Sequence, residues 1–77
     1  MTIQQAMTKA MKFFDRKRPD ASIRRVSLSE GTGNWRTDRL TYALIHIEYA
    51  VNEDYSESDK YPCYIRVRDE DGKVVID

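Results

Sequence analysis

One run constrains this chain more than any other. Leu40–Val51 reads Leu-Thr-Tyr-Ala-Leu-Ile-His-Ile-Glu-Tyr-Ala-Val and is the longest apolar-rich stretch. From Ala43 onward every second residue is apolar: Ala43, Ile45, Ile47, Tyr49 and Val51. Between them stand Leu44, His46, Glu48 and Ala50, a mixed set. A period of two is that of a strand with one buried face and one partly wet face. Leu40, Ala43, Leu44, Ile47 and Val51 also fit helical spacing, with Asp38 in the N-cap position. The β-branched and aromatic residues Thr41, Tyr42, Ile45, Ile47, Tyr49 and Val51 favour strand. Spacing alone leaves both open. The strand is expected over Trp35–Val51, with an interruption near Asp38-Arg39.

Residues Thr2–Arg16 read as an amphipathic helix. Ile3, Ala6, Met7, Ala10, Met11 and Phe14 form one apolar stripe at i, i+3, i+4 spacing. Thr2 and Gln5 fit a capping box. Arg16, Lys17 and Arg18 stand where the helix dipole favours cations, and Pro19 disfavours helix at the residue before it. The stripe is expected to pack on the protein's own sheet.

Ser22–Ser29 reads as a first strand. Val26 and Leu28 share one face, Ile23 is out of phase with them, and a bulge near the strand's start is expected. Glu30–Asn34 holds two Gly and an Asn and reads as a turn. Its Gly-x-Gly lacks the rest of a nucleotide fingerprint. Asn52–Lys60 is an acidic, polar loop. Tyr61–Arg68 alternates Cys63, Ile65 and Val67 with Tyr64, Arg66 and Arg68, a third strand. Asp69-Glu70-Asp71-Gly72 is a hairpin turn, and Lys73–Ile76 a short last strand. The class is α+β: an N-terminal helix packed on a four-stranded antiparallel sheet.

Length limits what can hold this fold together. At 77 residues it is one small domain with a modest core. Such domains often gain stability from disulfides, metals or a partner subunit. One Cys excludes an internal disulfide, and one His with one Cys cannot build a structural zinc site. Packing or oligomerisation is left, and a homodimer is expected. Lys+Arg and Asp+Glu both number 13, so the basic excess of a general nucleic-acid binder is missing. Residues 1–14 lack the apolar core of a signal peptide. No run approaches the roughly 20 apolar residues of a membrane helix. A cytoplasmic protein with a reduced thiol is expected.

The order of elements resembles the cystatin-like group of folds. The resemblance is carried by a helix, then Ala-Ser-Ile-Arg-Arg-Val-Ser-Leu, then a Tyr-rich strand, then Tyr-Ile-Arg-Val-Arg-Asp-Glu-Asp-Gly-Lys-Val-Val. The spacing resembles PepSY-type domains and, less closely, small proteins like nuclear transport factor two; the Asn52–Lys60 loop departs from that pattern. The resemblance implies inhibition or protein binding rather than catalysis. It carries over no functional residue.

The residues give little chemistry. His46 and Cys63 could form a base–nucleophile pair, but the expected strands put Cys63 toward the core and His46 on the other face. Glu53, Asp54, Glu57 and Asp59 lack the spacing of a calcium loop. No catalytic residue, metal or cofactor is expected. The informative surface is the sheet face away from the helix, with Tyr42, Leu44, His46, Tyr64, Arg66 and Arg68 as candidate protein-binding residues beside Arg25 and Glu48. Tyr and Arg around an apolar neighbour is the composition of interface hot spots. A non-enzymatic protein-binding module is expected, a small inhibitor or accessory factor that meets another protein or a second copy of itself. Two alternatives stand beside it: a ligand or enzymatic pocket between helix and sheet, and single-stranded nucleic acid stacked on the same sheet face.

Overall fold

The structure, a computed structural model, describes residues 1–34, 36–51 and 61–77, with Tyr61 described by its backbone alone. Trp35 and the Asn52–Lys60 loop, with its four carboxylates, lie outside the described residues.

Thr2 starts the helix α1, Ile3–Lys17. Its hydroxyl accepts the Gln5 N–H at 3.1 Å, and the Gln5 side-chain oxygen accepts the Thr2 N–H at 2.8 Å. The capping box therefore satisfies two N–H groups that the first turn cannot. At the far end the Arg18 N–H donates to the Phe14 carbonyl at 2.8 Å, and Pro19 follows.

Four strands follow in a meander: β1, Ser22–Asn34; β2, Arg39–Ala50; β3, Tyr61–Glu70; and β4, Lys73–Ile76. They lie side by side in that order, each antiparallel to the next. The Leu40–Val51 run is thus a strand, paired on both sides. Val51 falls outside it and is 39% exposed.

Two turns sit elsewhere than the sequence suggests. Glu30–Asn34 is not a turn but the last third of β1, opposite Leu44, Ala43, Tyr42, Leu40 and Arg39. The reversal lies beyond Asn34, whose side chain accepts the Arg36 N–H at 3.0 Å, and Asp38 takes the positive φ of 58°. Gly33 serves close approach instead. A β-carbon there would sit 2.6 Å from the Leu40 Cα and nearer still to the Arg39 carbonyl oxygen. The second reversal is tighter than a four-residue turn. β3 runs on through Asp69 and Glu70, which pair with Val74 and Lys73. Only Asp71 and Gly72 are left to turn, at φ 53° and 87°, the two positive angles that a twisted hairpin requires.

The expected bulge near Ile23 is present, with further register shifts at Leu28/Glu30 and Thr32/Gly33. The last one matters for the core. Thr32 pairs with Tyr42 and Gly33 with Leu40, so Thr41 is an extra residue on β2. The bulge reverses the strand's phase and lets Leu40 join Ala43, Ile45 and Ile47 in the interior. All four are at most 1% exposed.

Helix α1 lies on that face. Its small residues Ala6 and Ala10, fully buried, let it approach closely, and Phe14 fills the end against the Tyr49 ring at 4.9 Å. Ile65 and Val67 complete the core, while Val26 and Leu28 are half-buried at its margin. Leu40, Ile45, Ile47 and Val67 are the largest fully buried side chains, each worth about 2 kcal/mol in water-excluded area. Met1 belongs to this core as well, which the spacing did not indicate. Its carbonyl accepts the Leu40 N–H at 2.7 Å, and its ammonium donates to the Leu40 carbonyl at 3.0 Å and to the Asp69 carboxylate.

Candidate protein-binding face

From Tyr42 to Tyr49 the β2–β3 register runs without a shift. Successive side chains on a strand alternate between faces, so cross-strand partners share one. Tyr42 stands opposite Arg68, Leu44 opposite Arg66, and His46 opposite Tyr64. The six candidate residues thus form three neighbouring cross-strand pairs on the face turned away from α1. β1 extends this face with Arg25 opposite Glu48, Ser27 opposite His46, Glu30 opposite Leu44 and Thr32 opposite Tyr42. β4 adds Val75 opposite Arg68.

The pairs differ in character. The His46 and Tyr64 rings stack, with centroids 4.8 Å apart and planes at 27°. Tyr64 is nevertheless 57% exposed, so one face of the stack is open to water. Arg68 is held between carboxylates, 3.2 Å from Glu70 and 3.2 Å from Asp77. Arg66 is exposed and makes no ion pair among the described residues. Leu44 lies half-buried between them. Among the described residues no element covers this face, because α1 packs on the opposite one.

Asp77 and Glu70 are neighbours of this face that sequence reasoning missed. Their signal was the Asp-Gly hairpin: a two-residue turn at Asp71-Gly72 carries the chain's last residue back beside Arg66 and Arg68. The Asp77 N–H donates to the Arg66 carbonyl at 2.9 Å.

The other constellations come apart. Cys63 pairs with Ile47 and packs on the core, while His46 belongs to the outer face, so the two side chains point in opposite directions across the sheet. Burial pushes the Cys63 thiol above its ordinary pKa, the opposite of what a nucleophile needs. The space between α1 and the sheet is filled by Ala6, Ala10 and Phe14 against Ala43, Ile45 and Ile47. Among the described residues no three His, Cys, Asp or Glu side chains gather as metal ligands, and no helix is long and apolar enough to cross a membrane.

No known protein family, curated protein or solved structure matches this chain.

Proposed function

We propose that this protein is a non-enzymatic binding module, a small inhibitor or accessory factor in the cytoplasm, whose outer sheet face pairs with a second copy of itself. One observation carries this reading: the open face presents the His46–Tyr64 stack, Leu44 and Arg66 together, with nothing packed over them among the described residues. Aromatic and Arg side chains around an apolar centre supply most of the binding energy of protein interfaces. Two further facts favour a second copy. The face carries both signs of charge, with Arg25 and Arg66 beside Glu30 and Glu48, so a two-fold axis can set each cation against an anion. The net charge of zero removes long-range repulsion between copies.

Light scattering across a dilution series tests this. The expected result is a mass that falls from dimer to monomer on dilution. Tyr64→Ala with Arg66→Ala should be monomeric throughout with an unchanged circular dichroism spectrum. A monomer at every concentration, or a double variant that still dimerises, overturns the self-pairing.

A further inference from the structure

A second surface lies on the helix side of the molecule. β4 is an edge strand, and no described strand pairs with its far side. The phase of its ladder follows from one hydrogen bond, the Asp77 N–H to the Arg66 carbonyl at 2.9 Å. In an antiparallel pair, residues that exchange bonds with the neighbour alternate with residues that do not. Counting back from Asp77, Val75 and Lys73 direct their backbone groups at β3. Val74 and Ile76 hold their N–H and C=O groups outward, where no described strand pairs with them. Their side chains pack toward the core, on the helix side of the sheet.

Beside this edge runs a groove lined by Gln4, Gln5, Thr8, Lys9 and Lys12 of α1 and by Val74. The lining holds two ammonium groups and no carboxylate. Lys9 and Lys12 are three residues apart, hence neighbours about 5–6 Å apart on the helix surface. Alternate side chains of an extended peptide recur about every 6.6 Å, so carboxylates at every second position can meet both lysines. The other sheet edge is poorer, because three register shifts interrupt β1 and bulges spoil a pairing template.

We propose that this groove takes an extended acidic peptide, added to the sheet as a fifth strand along β4. Backbone bonds to Val74 and Ile76 hold the peptide, and Lys9 and Lys12 select carboxylates at alternate positions. The site is on the opposite side of the sheet from Tyr64 and does not depend on the pairing of that face.

The test is fluorescence anisotropy with a labelled Thr-Glu-Val-Glu-Val-Glu-Val-Thr peptide, its counterpart with Lys for Glu, and a version N-methylated at alternate amides. The wild-type chain should bind the acidic peptide at least about tenfold more tightly than either control. Lys9→Glu with Lys12→Glu should weaken it about tenfold or more. Val74→Pro, which removes an outward N–H but none of the bonds to β3, should weaken it similarly. The N-methylated peptide asks the same question without altering the protein. Equal affinity for acidic and basic peptides, undiminished binding after charge reversal, or full binding of the N-methylated peptide overturns the proposal. So does an oligothymidylate that binds as tightly and responds equally to charge reversal, which would make the groove a phosphate site.

Discussion

The ammonium group of Met1 is bound by the carboxylate of Asp69, 68 residues further along the chain. The same side chain accepts the Gly72 N–H at 2.9 Å through its other oxygen. One carboxylate thus fastens the start of the chain and shapes the last hairpin. Both bonds favour the ionised form, the Met1 bond most, and they hold the Asp69 carboxyl below its ordinary pKa. A lowered pKa in the folded state means stability that is present above the usual carboxylate pKa and lost as pH falls through the lowered one. Thermal melts between about pH 2 and 7 should show a midpoint that declines below about pH 4. Asp69→Asn keeps an oxygen for Gly72 but loses the charge. It should lower the midpoint at neutral pH by a few degrees and flatten the acid decline; equal acid slopes for the two proteins would refute the assignment.

Gly33→Ala should destabilise more than Gly72→Ala. At Gly33 the new β-carbon meets the Arg39–Leu40 backbone, which cannot yield without opening the β1–β2 ladder. At Gly72 it meets nothing within 4 Å, and only the positive φ of 87° opposes it. Urea unfolding should give about 1 kcal/mol for Gly72→Ala and about 2–4 kcal/mol for Gly33→Ala.

The helix–sheet contact is set by small residues, so it should resist both loss and gain of volume. Ile47→Ala should cost about 3 kcal/mol by leaving a cavity under α1. Ala10→Leu should cost about 1–3 kcal/mol by forcing the helix off the sheet. In a domain of this size either is a large share of a total of about 5–15 kcal/mol, and chemical denaturation will read both.

Tyr64→Ala separates stability from association. The ring is mostly exposed, so its removal should cost the fold no more than the about 0.5–1.5 kcal/mol of its stacking on His46. If the outer face pairs with a second copy, the dimer dissociation constant should rise by about tenfold or more. A melting temperature that falls sharply with unchanged association would place Tyr64 in the fold rather than in the interface.

Cys63 should be sluggish. Its thiol is partly buried on the core, and desolvation raises its pKa. Iodoacetamide at neutral pH should label the folded protein much more slowly than the protein in urea, where the thiol returns to about 8.5. Equal rates would mean that the side chain is open to solvent.

What the residues disclose depends on how far apart the partners lie. The helix was legible because its cap, its stripe and the Pro beyond it lie within a few residues of one another. β3 and the outer-face partners Tyr64, Arg66 and Arg68 were legible from simple alternation, and β2 placed Tyr42, Leu44 and His46 opposite them. The β1–β2 reversal was misplaced because glycines announce both turns and tight crossings, and only the packed backbone near Leu40 tells which is meant. The contribution of Met1 was hidden because it rests on bonds to Leu40 and Asp69, far along the chain. The pinning of Arg68 by Asp77 followed from a turn two residues shorter than its four polar residues suggested.

The meander has a consequence for the order in which the molecule can assemble. Every sheet pairing among the described residues joins strands adjacent in the chain, so each hairpin can form as soon as its second strand is made, and such local pairings favour rapid folding. The helix is different. It precedes all four strands in sequence, yet each of them supplies part of the floor it packs on. Its amphipathic stripe is fully covered only once the last of these strands, β4, has joined the sheet.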